Sequence, residues 1–140
     1  MSLTKILLFF FLFLISIVNG FAQTLPTTYQ LSTHMLDISK GQPAPNITVT
    51  LYKLDSITGN WQSVTTGKTD GNGRITNLLP STKDNTGIYK LKFETESYFK
   101  AQNLKSIYPY VEIIFRIEGQ GHYHIPITMS ANGYSTYRGN

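Results

Sequence analysis

Short runs of alternating apolar and polar residues, separated by turn-forming residues, recur from about residue 31 to the end of the chain. Over residues 46–53, Ile47, Val49 and Leu51 share one face and Thr48, Thr50 and Tyr52 the other. Over 88–94 the apolar row is Tyr89, Leu91 and Phe93, against Lys90 and Lys92. Over 111–118 it is Val111, Ile113, Phe115 and Ile117, against Glu112, Arg116 and Glu118. A period of two is that of a strand with one dry face and one wet face. Between the runs stand Lys40-Gly41-Gln42-Pro43, Thr58-Gly59-Asn60, Asp70-Gly71-Asn72-Gly73 and the stretch 80–87, all rich in turn formers. Residues 95–105 resist alternation, and Tyr98, Phe99 and Leu104 among polar neighbours predict a short helix there, capped by Thr95 or Ser97. The pattern predicts an all-β fold: a Greek-key β-sandwich of about eight strands with one short helix.

The same test on the two histidine-bearing stretches separates a core row from an outer row. Over 122–130, Tyr123, Ile125, Ile127 and Met129 form the core face, which puts His122, His124, Pro126, Thr128 and Ser130 together on the other, before a turn at Asn132-Gly133. Over 31–37, Leu31, Thr33 and Met35 fall together, and His34 falls with Ser32 and Leu36. A chain end usually frays and carries little chemistry. This one, dense in rings, imidazoles and hydroxyls, reads instead as a strand that is held down and used.

The first residues change the picture of where the protein works. One lysine, an apolar run from Ile6 to Val18 broken only by Ser16, and small residues near Gly20 and Ala22 describe a secretory signal peptide over residues 1–22, cleaved between 20 and 23. The run is shorter than the roughly 20 apolar residues of a membrane span. Residues 23–140 then form one exported domain, periplasmic or secreted, with no membrane association once the leader is removed. Cysteine is absent, so no disulfide staples it. A domain of this size has surface enough for one core. Without Lys5, eleven bases face eight acids, and the bases are scattered rather than clustered. A nucleic-acid track would need them gathered, so nucleic acid is excluded as a partner, and the mild positive excess is a weak hint of an anionic ligand.

Chemistry concentrates on His34, His122 and His124, all three of the chain's histidines and all on strand-like segments. A single histidine on a strand is more often structural than catalytic. Two of them two residues apart on one strand face, however, lie about 6.5–7 Å apart and can share work. One option is a metal site of three imidazoles with water as the fourth ligand; against it, no cysteine is available and no carboxylate is spaced to orient the rings. The other is acid–base work, with an arginine and a tyrosine holding an anionic or carbonyl-bearing substrate. Ser130 shares the face of His124 but stands in no nucleophile elbow, and no acid completes a triad. The glycines of residues 70–73 lack the lysine-serine pair of a phosphate loop and read as a tight turn that presents Arg74. Asn46-Ile47-Thr48 matches a glycosylation acceptor, which chance explains equally well, and Trp61 reads as a strand or rim packing residue.

Five motifs in order make the chain specific. Thr33-His34-Met35-Leu36-Asp37 followed by Gly41-Gln42-Pro43-Ala44, the turn Thr69-Asp70-Gly71-Asn72-Gly73-Arg74, Ile107-Tyr108-Pro109, His122-Tyr123-His124-Ile125-Pro126 and Tyr134-Ser135-Thr136-Tyr137-Arg138-Gly139 resemble those of the transthyretin-like 5-hydroxyisourate hydrolases. The resemblance covers about residues 31–140. It implies a transthyretin-like sandwich assembled as a homotetramer, a dimer of dimers with active sites in channels between the dimers. The implied reaction is hydrolysis of 5-hydroxyisourate to 2-oxo-4-hydroxy-4-carboxy-5-ureidoimidazoline in urate catabolism, by attack of water on a ring carbonyl, with no metal or organic cofactor. By motif position the resemblance implies His34, Arg74, His124 and Tyr137 as the functional set; His34, Arg74 and His124 are expected to be catalytic, and Tyr137, Ser130, which shares the face of His124, and Arg138 to meet the substrate, with His122 a neighbour. Two residues depart from the family pattern: Asn140 stands where a serine usually ends the chain, and Ala131 where a proline usually follows the serine. Export is a third departure. The rival readings are a transthyretin-type carrier of a small ligand without catalysis, and a structural sandwich in which the polar set is incidental.

Overall fold

The computed structural model describes residues 27–139; residues 1–26, on which the expected signal peptide over 1–22 falls, and Asn140 lie outside the described residues. Nine strands and one short helix follow one another as β1 (Tyr29–Asp37), β2 (Gln42–Pro43), β3 (Thr48–Leu54), β4 (Trp61–Lys68), β5 (Arg74–Pro80), β6 (Gly87–Phe93), α1 (Glu96–Lys100), β7 (Val111–Ile117), β8 (Tyr123–Ser130) and β9 (Gly133–Thr136). They make two sheets. One runs β2-β1-β8-β9 with β5 also on β1; the other runs β4-β3-β6-β7. All pairings are antiparallel except β1 with β8, which is parallel and sets Ser32 beside His124 and His34 beside Pro126.

The core lies between the sheets and is built from the predicted rows. Ile47, Val49 and Leu51, then Tyr89, Leu91 and Phe93, then Tyr123, Ile125, Ile127 and Met129 are buried, and Leu31 and Met35 meet them from β1. Each such side chain removed from water is worth about 1.5–3 kcal/mol, so alternation and stability are one constraint. Within the predicted row of β7, Val111, Ile113 and Ile117 are buried, while Phe115 is only partly covered and stacks on Tyr89 with ring centroids 6.1 Å apart. β7 is the outermost strand of its sheet, with β6 as its one partner there, so its middle has no neighbour to close over it.

Three local expectations are corrected. Helix α1 is present, with Thr95 at the N-cap position, but Thr95 has helical backbone angles and its side chain makes no cap bond. Its hydroxyl is buried without a partner instead, and the five-residue helix is held by the burial of Phe99. Pro126, expected on the outer row, is buried there. The β8–β9 turn falls at Ala131–Asn132, with Gly133 already paired to Ser130. The nine strands among the described residues, one of them the two-residue β2, agree with the expected sandwich of about eight. Asn46 is exposed in a left-handed conformation (φ 62°). No helix among the described residues is long and apolar enough to cross a membrane.

Candidate active site

The site is a patch of the outer face of the β1 sheet, and its layout follows from register. His34 on β1 is paired across the antiparallel ladder with Arg74, the first residue of β5. Ser32, two residues back and so on the same face, is paired across the parallel ladder with His124 of β8. His122 lies two residues before His124 on that face. Three strands thereby bring Ser32, His34, Arg74, His122 and His124 together, and with Tyr137 and Gly139 they line a cavity of about 470 Å³. No aliphatic side chain is among the lining residues.

Arg74 is placed by the turn before it. The Asp70 carboxylate accepts hydrogen bonds from the backbone N–H groups of Asn72 and Arg74, both at 2.9 Å, and the Gly73 N–H bonds the Asp70 carbonyl. Gly73 has φ +70°, and a Cβ there would stand 2.5 Å from the carbonyl oxygen of Met35. That same stretch of β1 is tied back by the Met35 N–H to the Gly73 carbonyl at 2.8 Å. Only glycine satisfies both the angle and the approach.

Pro126 explains how the C-terminal segment reaches the site. The β8–β9 ladder is regular from Ser130↔Gly133 to Ile127↔Thr136, then opens, and pairing resumes at His124↔Gly139. Pro126 has no N–H to give to a ladder, and its carbonyl takes the Thr136 hydroxyl at 2.8 Å. Across the opening the register is kept, so Tyr137 and Gly139 face the cavity while Arg138 faces the other way. There the Arg138 guanidinium lies over the Tyr123 ring, 4.7 Å from its centroid, in a separate cleft beside β7. The Gly139 N–H bonds the His124 carbonyl at 2.8 Å, and the two approach so closely that a Cβ on Gly139 would stand 2.5 Å from Cδ2 of the imidazole.

The structure therefore brings His34, Arg74, His124 and Tyr137 together, and leaves out Ser130 and Arg138. Ser130 shares the face of His124 but is six residues further along β8, about 20 Å at the rise of a strand; its hydroxyl bonds the Gly133 carbonyl and closes the hairpin. Arg138 is parted from Tyr137 by strand alternation. Conversely, Ser32 and His122 enter the site. The Ser32 hydroxyl oxygen lies 2.9 Å from Nε2 of His122 and 2.9 Å from Nδ1 of His124, and Nδ1 of His122 lies 3.0 Å from the Tyr29 carbonyl.

The electrostatics favour neutral imidazoles. His34 is held below the ordinary histidine pKa, first by burial and then by the Arg74 charge, with the Asn72 backbone and Asp70 pulling weakly the other way. His124 is lowered by burial, then by Arg74, His34 and His122, with a hydrogen bond to the Ser32 backbone pulling the other way. Both rings can thus accept a proton at neutral pH, beside a permanent cation that can stabilise negative charge. Among the described residues no three His, Cys, Asp or Glu side chains converge as a metal-ligand set. A larger concavity of about 840 Å³ beside helix α1 is lined by Lys40, Gln42, Tyr98 and the residue-71 turn, and no histidine reaches it.

Residues 31–139 match the model of the HIUase/Transthyretin family. The chain belongs to this family. A probable 5-hydroxyisourate hydrolase of Caenorhabditis elegans is 38% identical over 136 residues, 96% of this chain and 98% of the worm protein. The 5-hydroxyisourate hydrolase of Mus musculus is 38% identical over 78% of this chain and 93% of its own. Among solved structures, the 5-hydroxyisourate hydrolase of Klebsiella pneumoniae superposes with a TM-score of 0.67 at 34% identity, covering 79% of this chain and 98% of that one. The transthyretin of Sparus aurata superposes at 0.73 and 30% identity, covering 78% and 95%. The family fold thus hosts proteins of two names, and the polar cavity is what distinguishes between them here.

Proposed function

We propose that this protein hydrolyses 5-hydroxyisourate in urate degradation. The observation that carries the reading is the cavity itself: two imidazoles kept neutral beside Arg74, with no aliphatic lining. A carrier of a small apolar ligand gains affinity from apolar walls and has no use for this set. Relatives named for the hydrolase, matched over most of the chain, support the same conclusion.

In the mechanism, one imidazole, His34 or His124, takes a proton from water as its oxygen attacks a ring carbonyl. Charge develops on the carbonyl oxygen, and the Arg74 guanidinium stabilises it. The intermediate collapses by breaking the ring C–N bond, and the proton held on imidazole passes to the departing nitrogen, so the six-membered ring opens with net addition of water. Tyr137, whose ring lines the cavity from the C-terminal segment, positions the substrate by hydrogen bonding.

The test uses freshly generated 5-hydroxyisourate followed by its absorbance. The protein is expected to accelerate its decay, and His124→Ala or Arg74→Ala to lower kcat by about 10²- to 10⁴-fold with the fold intact. Decay at the spontaneous rate with saturable binding would establish the carrier instead, and decay at that rate without binding the structural reading.

The same proposal includes export and assembly. Residues 1–22 have the composition of a secretory leader, and the working form is a homotetramer. In support, among the described residues β7 and β9 are each the last strand of their sheet and present an unpaired edge, a feature that single chains usually cover or blunt.

A further inference from the structure

We infer that Ser32 and His122 are positioning residues, which fix the tautomer of His124 so that its Nε2 carries the lone pair that takes the proton from water. This rests on the hydrolytic reading for its catalytic meaning, but the tautomer itself is a property of the resting protein.

The direction of the chain of hydrogen bonds is set at its far end. The Tyr29 carbonyl can only accept, so Nδ1 of His122, 3.0 Å away, carries a hydrogen and donates. A neutral imidazole carries one hydrogen, so with it on Nδ1 the neutral ring of His122 presents Nε2 as an acceptor, and the relay is that of the neutral ring. The Ser32 hydroxyl, 2.9 Å from it, therefore donates to it. Having spent its one hydrogen there, the Ser32 oxygen is left to accept at its other contact, 2.9 Å away, so Nδ1 of His124 carries a hydrogen. A neutral imidazole has one N–H, and Nε2 of His124 is left as the basic nitrogen. Among the described residues that nitrogen has no hydrogen-bond partner, whereas both nitrogens of His122 do. The chain is thus a one-way relay from a backbone carbonyl to the catalytic ring, in the manner of the acid that orients the histidine of a serine-protease triad, with a serine and a second histidine in place of the acid.

The anchor is rigid. Gln30, next to Tyr29 and 1% exposed, donates from its side-chain amide to the carbonyls of Gly119 and Gly121 at 2.8 and 3.1 Å. Its oxygen accepts from the Asn85 amide at 2.9 Å. Those bonds tie the segment just before His122 to the strand whose carbonyl His122 must find. The groups facing His124 are His34 on β1, Arg74 on β5, His122 along β8 and Tyr137 and Gly139 from the C-terminal segment, and Arg138 faces away. Among the described residues none of these groups is hydrogen-bonded to Nδ1, and the Ser32 backbone beside the ring adds to the hold of that residue on His124.

Two measurements test the relay. Two-dimensional ¹⁵N NMR of the imidazoles in the full domain, at neutral pH and without substrate, is expected to show both His122 and His124 with the hydrogen on Nδ1. In Ser32→Ala, His124 is expected to become a tautomer mixture. Kinetically, Ser32→Ala and His122→Phe should lower kcat by about 10- to 100-fold, the usual cost of removing an outer partner that orients a working histidine. KM should move little, and Ser32→Thr, which keeps the hydroxyl, should restore most of the rate. His124 with its hydrogen on Nε2 in the wild type overturns the inference whatever the activity, and so does an unchanged kcat in both Ser32→Ala and His122→Phe. A wild-type protein without hydrolase activity but with the expected tautomers would instead remove the proposed function and leave the relay standing as a structural fact.

Discussion

His34 and His124 show how a site can be tuned by what lies beside a residue rather than by the residue. Burial and the Arg74 charge both oppose protonation of these rings, so the base form persists through neutral pH. The acid limb of kcat/KM is expected below the ordinary histidine value near 6.5. Because the folded rings bind protons less readily than the unfolded ones, stability also declines as pH falls from the ordinary value through the lowered ones. Replacing Arg74 by alanine removes the second-largest cause at both rings. Their NMR titrations are expected to move up in pH, and titrations that stay where they are would show that the guanidinium does not act on them. Gly139 is tuned by absence: with a Cβ destined for 2.5 Å from the His124 ring, Gly139→Ala must push the ring off Ser32 or the C-terminal segment off β8. A fall in kcat/KM of at least tenfold, with little change in melting temperature, is the expected outcome. Equal activity would mean that the segment can shift without cost.

At the scale of elements, the Asp70–Gly73 turn and the opening at Pro126 are the two devices that aim side chains. Gly73→Ala combines a left-handed backbone with a contact to the Met35 carbonyl, which is expected to cost about 1–3 kcal/mol in chemical denaturation. It should also lower kcat, through displacement of Arg74; a variant as stable and active as the parent would refute the account of the turn. Such a turn is legible in a sequence because its glycines and aspartate are adjacent, just as the apolar rows of β3, β6 and β8 are legible from period two. Register is not legible in the same way. Ser32 meets His122 and His124 across separations of 90 and 92 residues, through a parallel β1–β8 pairing that alternation does not encode. Sharing a face with His124 drew Ser130 into the expected site, yet facing says nothing about distance along a strand. Arg138 was separable in principle, since residues 137 and 138 must point to opposite faces once the segment is a strand, and Pro126 marks where the ladder opens.

Across the whole molecule each sheet ends, among the described residues, in an edge strand on both sides, and β7 and β9 are the two such edges at which assembly is proposed. On β7, Ile114 is 61% exposed, and Tyr134 on β9 and Tyr137 just past it are 42% and 59% exposed. An open edge beside exposed apolar side chains invites pairing with another chain, and the cavity, formed on an outer sheet face, gains walls if a second sheet is packed against it. Oligomerisation would then both cover the edges and exclude water from His34 and His124, which lowers their affinity for protons further. Light scattering of residues 23–140 is expected to give four times the protomer mass. Ile114→Lys, which places a charge on the exposed face of the β7 edge at a residue that does not line the histidine cavity, is expected to shift that mass toward smaller species and to lower activity with it. A wild-type protein that scatters as a monomer while turning over substrate would show that one chain's cavity is sufficient, and that the open edges are tolerated rather than paired.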